Sequence, residues 1–257
     1  MRISLIGAGR VAHHLALALK QQHDIVNIYS RTFSSAQALA KRIGAVAVET
    51  IESMQQEIDL VVIAVSDQAI AQLIQSLHSH FSNVLIVHTS GSTHVNVLSQ
   101  LHPKSGVFYP LQTFSLEREI DWITTPLFVE AVEAQDLQVL EKVAQQLSQR
   151  VYCYDSAQRL SLHLAAVFAC NFSNYCYDMA KQVVDAQQVD FSLLYPLILE
   201  TAKKASAYEP RAVQTGPAMR GDQNILNMHT QMLEQSNRSD LSQVYQLLSE
   251  QILKRHQ

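Results

Sequence analysis

The first 30 residues of the chain place a glycine-rich turn between two apolar runs. The turn reads G-A-G-R-V-A over residues 7–12, with apolar runs at residues 3–6 and 25–29. This spacing, G-x-G-x-x-A, predicts the strand, tight turn, helix and second strand of a dinucleotide-binding unit. The alternative is an ordinary strand-to-helix turn without a ligand. Since the free N–H groups at the start of such a helix bind phosphates, the residues expected at the dinucleotide are Gly7, Ala8, Gly9, Arg10 and Val11.

The end of the second predicted strand indicates which dinucleotide is bound. An acidic residue there usually binds the ribose 2′-hydroxyl of NAD, whereas this chain has Ser30, Arg31 and Thr32. A guanidinium beside two hydroxyls suits a 2′-phosphate, and no carboxylate is present to repel it. The sequence therefore favours NADP(H) as the cofactor. The alternative is that Arg31 is a solvated loop charge and that the chain accepts either nucleotide.

Apolar runs and helical segments alternate up to residue 154. Strands are predicted near residues 2–6, 25–29, 45–48, 59–65, 83–88, 106–109, 127–130 and 151–154. Helices are predicted at residues 10–21, 34–43, 67–77, 93–101 and 135–148. The runs at 60–65 and 84–87 are apolar throughout, as in parallel strands covered by helices on both faces. Residues 1–154 are therefore predicted to form a doubly wound, mostly parallel Rossmann sheet of about eight strands, which makes the fold class α/β.

The character of the sequence changes after residue 154, where strand signals disappear. Helices are predicted near residues 156–186, 190–207, 222–235 and 239–254, so residues 155–257 form a second, all-α domain. Residues 160–177 carry no charge and approach the length of a membrane span. Polar residues interrupt this stretch, however, and polar groups are unfavourable in lipid. We expect a helix that is buried by the other domain and by a second subunit, which predicts a homodimer and no membrane insertion.

Composition excludes several classes of partner. The chain has 257 residues and a net charge of −4, and this charge does not suit nucleic acid or an anionic membrane surface. The three cysteines form no disulfide-like or metal-binding pattern, which fits reduced thiols in the cytoplasm. A strand at the N-terminus leaves no room for a signal peptide, in agreement with a cytoplasmic location. The 11 histidines show no metal-ligand spacing, so no metal site is expected.

Three loops should lie at the carboxyl ends of the strands, where open α/β sheets bind ligands. Val65 and Ser66 follow the fourth strand, Thr89 and Ser90 follow the fifth, and Gln112 follows the sixth. We expect Val65, Ser66 and Thr89 to contact the cofactor, with Ser90 and Gln112 on the nicotinamide and substrate side. The alternative is that these polar residues occur here because serine and threonine are common in turns.

Three polar residues stand out on the long apolar helix. At 100° per residue, His163, Asn171 and Asn174 share one broad face, but His163 and Asn171 are separated by about 12 Å along the axis. A histidine can donate the proton that accompanies hydride transfer, and an amide can fix a carbonyl. The sequence thus assigns catalysis to His163, Asn171 and Ser90, and substrate binding to Asn174 and Gln112. The alternative is that the three helix residues are hydrogen-bonded core groups.

The order of motifs resembles a known family. Segments over residues 7–12, 88–91, 110–114, 162–171 and 216–222 resemble those of predicted NADP-dependent oxidoreductases with a Rossmann-like domain and a C-terminal domain of unknown function. That group is related to deazaflavin-dependent NADP oxidoreductases, pyrroline-5-carboxylate reductase and 6-phosphogluconate dehydrogenase. The resemblance implies a helical domain of the 6-phosphogluconate-dehydrogenase C-terminal type. Tyr109 stands where many members have a histidine, and a phenol can also donate a hydrogen bond.

The resemblance also implies that Arg220 and Asp222 lie near an interdomain cleft. Arg220 could bind a substrate carboxylate or phosphate through two parallel hydrogen bonds. The alternative is that Asp222 caps a helix and that Arg220 is its ion partner. We therefore predict that Arg220 binds the substrate together with Gln112 and Asn174.

The observations together predict an NADP(H)-dependent oxidoreductase. It would transfer a hydride to or from an unidentified small molecule bound between the two domains. One alternative is a non-catalytic NADP(H)-binding sensor or scaffold that recruits a partner protein, because fold alone does not determine function. A third possibility is a reductase of a flavin or deazaflavin cofactor.

Overall fold

A computed structural model describes all 257 residues and divides them into two compact units. The sheet unit comprises Met1–Phe168, and the helical unit comprises Ala169–Gln257. The eighth strand ends at Cys153, so the sheet unit also contains the first helix that follows the sheet. None of the helices combines the length and the apolar character that a membrane span requires.

The sheet unit is built on one eight-stranded sheet. Its strands are β1 (Arg2–Ile6), β2 (Asp24–Tyr29), β3 (Val46–Val48), β4 (Leu60–Ile63), β5 (Leu85–His88), β6 (Ser105–Pro110), β7 (Leu127–Ala131) and β8 (Val151–Cys153). The order across the sheet is β3-β2-β1-β4-β5-β6-β7-β8, and only β6 and β7 are antiparallel. The predicted α/β class with a mostly parallel sheet is confirmed. The strand order reverses between β1 and β4, and ligands of such sheets bind beyond the strand ends at that point.

Helices cover both faces of the sheet. They are α1 (Arg10–Leu19), α2 (Phe33–Ile43), α3 (Asp67–His80), α4 (Asn96–Ser99), α5 (Ala134–Gln145) and α6 (Ser156–Ala166), with a 3-10 turn at Ile51–Ser53. Ile3, Leu5 and Val62 belong to the core on the side of α1, α2 and α5, whereas Val61 and Ile63 face α3. Both faces of the central strands are therefore buried, which explains their continuous apolar runs.

The helix predicted at residues 93–101 is wrong in extent, since α4 spans four residues only. The hydroxyl of Ser90 accepts hydrogen bonds from the backbone N–H groups of Ser92 and Thr93, and the hydroxyl of Ser156 accepts one from Val95 N–H. Side-chain bonds of this kind compete with helix formation at the same backbone groups. The segment before Asn96 is consequently a turn.

The helical unit contains α7 (Ser173–Asp185), α8 (Tyr195–Ala207), α9 (Pro217–Arg220), α10 (Gln223–Gln235) and α11 (Ser239–His256). The helix predicted over 156–186 is interrupted at Val167–Phe172, where the hydrogen bonds follow a π-helical pattern. The short helix α9 lies between two glycines with positive φ, Gly216 and Gly221, and was not predicted. No residue of α7 or α8 is buried in the single chain.

Candidate cofactor and active site

The turn between β1 and α1 has the geometry that its glycines predict. Gly7 has φ +115°, and a β-carbon there would lie 2.2 Å from the carbonyl oxygen of Ala64. Only glycine fits this position, because other residues disfavour such a φ and would collide with the backbone of the next strand. A β-carbon on Gly9, in contrast, would meet no atom within 4 Å. The backbone at the start of α1 is therefore open to a ligand such as a pyrophosphate.

A cleft of about 820 Å³ follows the carboxyl ends of the strands and begins at this turn. Fourteen residues proposed from the sequence line it: Gly7, Ala8, Gly9, Arg10, Val11, Ser30, Arg31, Thr32, Val65, Ser66, Thr89, Ser90, Gln112 and His163. All residues that line the cleft belong to the sheet unit. Asn171, Asn174 and Arg220 are exposed residues of the helical unit and do not line it.

One end of the cleft is positively charged. Arg10 and Arg31 line it together with the hydroxyl-bearing residues Ser30 and Thr32, and neither guanidinium forms an ion pair with an acidic side chain. Two free guanidiniums beside two hydroxyls fit a phosphate group. No group of three or more histidine, cysteine or acidic side chains is placed to hold a metal ion.

The loop after β5 is held by its own polar side chains. Ser90 Oγ accepts hydrogen bonds from Thr93 N–H at 2.9 Å and Ser92 N–H at 3.1 Å, while Ser90 N–H donates to Nδ1 of His88 at 3.2 Å. Ser92 Oγ donates to the carboxylate of Asp67, the first residue of α3, which connects this loop to the helix that follows β4. The hydroxyl of Ser90 thus stabilises the turn in which it lies, a role that the sequence did not suggest.

His88 lies beneath this loop and stays uncharged. It is fully buried, and burial, assisted by the positive charge of Arg159, lowers its pKa from 6.5 to about 3. Because Nδ1 accepts from Ser90, the ring proton is on Nε2. A neutral acceptor is what the backbone N–H of Ser90 requires.

At the other end of the cleft, the hydroxyl of Tyr109 lies 3.3 Å from Nδ1 of His163. Both side chains rest against Gly91, where a β-carbon would lie 2.7 Å from His163 Nδ1 and 2.7 Å from Tyr109 Cζ. Burial raises the pKa of the Tyr109 phenol above its usual 10. The position of Tyr109 before Pro110 at the end of β6 was noted in the sequence, but its contact with His163 was not foreseen.

A buried cation connects the β5 loop to α6. Arg159 is 1% exposed and is paired with Glu130 on β7. Its second nitrogen donates to the carbonyl of Thr93 at 2.6 Å and to Ser156 Oγ at 3.1 Å. His163 lies one helical turn beyond Arg159, so this network determines where the imidazole meets the loop.

Comparisons with known proteins agree with this architecture. Residues 1–112 match the family described as a Rossmann-like domain, and residues 125–252 match the family described as a Domain of unknown function (DUF2520). The crystal structure of a protein from Bacteroides fragilis, assigned as an NADP oxidoreductase, is 41% identical over 98% of both chains, with a TM-score of 0.92. The chain belongs to this family of NADP oxidoreductases. The family resemblance inferred from the motifs is therefore confirmed.

More distant structures share the fold of this oxidoreductase. An imine reductase from Myxococcus stipitatus in complex with NADP+ is 15% identical, covering 99% of this chain and 94% of that one, with a TM-score of 0.76. A pyrroline-5-carboxylate reductase from Coxiella burnetii is 14% identical over 99% and 97% of the two chains, with a TM-score of 0.59. None of the curated proteins matches the chain significantly.

Proposed function

We propose that this oxidoreductase binds NADP(H) along the strand ends and transfers a hydride between the nicotinamide and a small molecule. The observation that carries the proposal is the unpaired Arg31 beside Ser30 and Thr32, in a cleft that starts at the Gly7–Gly9 turn. The bound cofactor would supply or accept the hydride. The protein would hold the two reactants in place and exclude water.

In this proposal, different residues bind different parts of the cofactor. The backbone at Gly7, Ala8 and Gly9, together with Arg10 and Val11, would hold the pyrophosphate. A 2′-phosphate would accept hydrogen bonds from the hydroxyls of Ser30 and Thr32 and from the Arg31 guanidinium. The remaining cofactor contacts would come from Val65, Ser66 and Thr89.

The cleft contains only some of the residues that are proposed to act on the substrate. His163 and Ser90 line it, and with Asn171 they are the groups proposed to polarise the substrate or to donate its proton. Gln112 also lines the cleft and would bind the substrate, together with Asn174 and Arg220 from the helical unit.

We also propose that the protein is a homodimer that forms through its helices. Leu160, Leu164, Phe168 and Phe172 recur every four residues, and each is 50–63% exposed in the single chain. The buried apolar residues of the helical unit are only Ala218, Leu226, Leu233 and Leu241. A second copy that covers this stripe would remove from water apolar surface that the single chain exposes. The three cysteines are unpaired, and we place the dimer in the cytoplasm, where thiols stay reduced.

Light scattering coupled to gel filtration tests the dimer. Leu164→Asp should yield a monomer, because a carboxylate on the covered face would lose its hydration. Leu116→Asp is the matched control, since Leu116 is equally exposed, 56% against 56%, but lies in a loop of the sheet unit. A monomeric wild type would contradict the proposal.

Calorimetric titration with NADPH, NADH and their oxidised forms tests the cofactor. Losing a charge-assisted hydrogen bond costs about 1.5–3 kcal/mol, so Arg31→Ala should weaken NADPH binding by about 10-fold to 100-fold. NADH binding should stay weak and unchanged, because NADH has no 2′-phosphate. Arg255→Ala, at an exposed arginine of α11, is the control. Equal affinity of the wild type for NADH and NADPH would contradict the assignment of Arg31.

The exposed apolar stripe also favours a second candidate, an NADP(H)-binding sensor that recruits a partner protein. A dimer that covers the stripe, together with NADPH oxidation in a screen of small ketones, imines, flavins and a deazaflavin, would exclude it. A monomer that binds NADPH and reduces none of these compounds would favour the sensor. Reduction of flavins or deazaflavin alone would indicate a reductase of those cofactors.

A further inference from the structure

We infer that Tyr109 is a catalytic proton donor of this oxidoreductase and that His163 resupplies its proton. The inference rests on the proposed function and names the chemical class of group that is protonated, a carbonyl oxygen or an imine nitrogen. In this arrangement Nδ1–H of His163 donates to the phenol oxygen, and the phenol O–H is directed at the substrate.

The geometry sets the phenol apart from the cleft hydroxyls of Thr89 and Ser90. Tyr109 Oη has one protein neighbour within hydrogen-bond distance, Nδ1 of His163 at 3.3 Å. The hydroxyl of Thr89 donates to the carbonyl of Ile63 at 3.3 Å, and the hydroxyl of Ser90 holds its own turn. Of these three hydroxyls, only that of Tyr109 has an imidazole as its partner and takes no part in holding the backbone.

The difference in burial between Tyr109 and His163 sets the direction of proton transfer between them. The side chain of Tyr109 is 9% exposed, whereas His163 is half-buried and closer to solvent. Burial keeps the phenol protonated at neutral pH, since its pKa lies above 10. A proton can thus pass from water to His163 and from His163 to Tyr109, but water has little direct access to the phenol.

The proton and hydride together complete a two-electron reduction. NADPH, if bound as in the proposed function, would supply the hydride for the carbon of the C=O or C=N bond. The O–H bond of Tyr109 breaks as its proton bonds to the oxygen or nitrogen. As Nε2 of His163 takes up a proton from water, the proton on Nδ1 moves to the phenolate oxygen, so the ring stays neutral. Exchange with water then returns the ring proton from Nε2 to Nδ1. Oxidation would run through the same steps in reverse.

Gly91 is what allows the two rings to meet. Any β-carbon there would occupy the space between the strand-borne phenol and the helix-borne imidazole. The network of Arg159 with Glu130 and the carbonyl of Thr93 holds the β5 loop against α6. The pair is thus held by the fold and does not depend on a bound ligand.

The first test determines directly which nitrogen of His163 carries the proton, and it needs no substrate. Nitrogen-15 NMR of histidine-labelled protein, with His163 assigned through His163→Asn, should show the proton of the neutral ring on Nδ1. Tyr109→Phe should shift the proton to Nε2, because the acceptor oxygen is gone. Tyr152→Phe is the control, since the Tyr152 ring stacks on Phe128 outside the cleft and should leave His163 unchanged. A wild-type His163 without a proton on Nδ1, or an unaltered signal in Tyr109→Phe, would overturn the inference.

The second test measures NADPH binding and the reduction of 2-methyl-1-pyrroline and cyclohexanone. Tyr109→Phe should lower kcat by about 100-fold or more, the usual contribution of a general acid, and leave the Kd for NADPH unchanged. His163→Asn keeps a donor at the position of Nδ1 but cannot pass on a proton, so it should also lower kcat. Unchanged kcat in Tyr109→Phe would overturn the inference alone, whereas absent NADPH binding in the wild type would overturn the proposed function. If the wild type reduces neither probe, the NMR result decides whether the inference about Tyr109 and His163 stands.

Discussion

Arg159 donates a 2.6 Å hydrogen bond to the backbone carbonyl of Thr93, although 66 residues separate the two in sequence. The bond ties the loop after β5, which lines the cleft, to the helix that carries His163. Glu130 neutralises the guanidinium from the neighbouring strand β7. One buried cation therefore holds three elements near the end of the cleft where Tyr109 and His163 meet.

Arg159→Ala should destabilise the protein by about 3 kcal/mol or more, because it leaves the Glu130 carboxylate without its partner. Urea denaturation of the wild type and the variant measures the difference. Lys204→Ala is the control, since Lys204 and Glu200 form a half-exposed pair at 3.3 Å. Such surface pairs contribute about 1 kcal/mol or less. Equal losses in the two variants would contradict the assigned role of Arg159.

His88 should make the stability of the fold sensitive to acid. Its pKa is about 3 in the folded chain against 6.5 for a free imidazole, owing to burial first and to Arg159 second. The unfolded chain therefore binds a proton at His88 between pH 6.5 and about 3 while the folded chain does not. Acid shifts the equilibrium toward unfolding, and this single group contributes a slope of up to about 1.4 kcal/mol per pH unit in that window.

Comparison with His88→Asn isolates this contribution, because an amide oxygen can still accept from Ser90 N–H but does not titrate. Urea denaturation at neutral pH and at about pH 5 should show that the variant loses less stability on acidification than the wild type. A parallel pH dependence in the two proteins would show that His88 does not stay neutral in the fold.

The sheet could be predicted from the sequence because its signals are local. The runs at 60–65 and 84–87 are apolar at every position, since both faces of β4 and β5 are covered, and Gly7 marks the turn where only glycine fits. Helix α4 was predicted to begin too early, because the bond from Val95 N–H to Ser156, just before the helix starts at Asn96, joins residues 61 positions apart.

The end of the cleft at Tyr109 and His163 could be predicted only in part, because its contacts join residues that are distant in the sequence. His163 was chosen because it is polar on an apolar helix, but its contact with Tyr109 spans 54 residues and depends on the tertiary fold. The π-helical turn at Val167–Phe172 contains no proline or glycine from which the interruption could have been predicted. Long-range contacts of this kind leave no periodic signal in the chain.

Cys153 should react slowly with alkylating agents in spite of its place on the edge strand β8. Its Sγ lies 3.0 Å from Glu141 Oε1, and partial burial together with this carboxylate raises the thiol pKa from 9.0 to about 11. The thiolate is the reactive form, so its fraction is about 100-fold smaller than that of an ordinary cysteine. Glu141→Gln removes the negative charge and should accelerate labelling by iodoacetamide.

Mass spectrometry of the labelled peptides follows each cysteine separately. The rate at Cys170, which is exposed and lies in the helical unit, provides the internal control and should not change. If Glu141→Gln left the rate at Cys153 unaltered, the carboxylate would not be what suppresses the thiolate.

Gly9 and Gly91 both line the cleft, but alanine should affect different properties at the two positions, NADPH affinity at Gly9 and stability at Gly91. A β-carbon on Gly9 meets nothing in the protein, so Gly9→Ala should keep the melting temperature of the wild type. The same β-carbon occupies the space proposed for the pyrophosphate, and NADPH should bind at least about 10-fold more weakly, as expected when a ligand contact worth about 1.4 kcal/mol is lost.

Gly91→Ala places its β-carbon 2.7 Å from both Tyr109 Cζ and His163 Nδ1. Crowding of this kind in a packed site costs about 1–3 kcal/mol, so the melting temperature should fall. Calorimetric titration and thermal unfolding of the two variants separate the effects, because Gly9→Ala loses binding at constant stability and Gly91→Ala loses stability. A variant of Gly9 that melted early, with undiminished affinity for NADPH, would mean that the open space at the start of α1 serves the fold and not the cofactor.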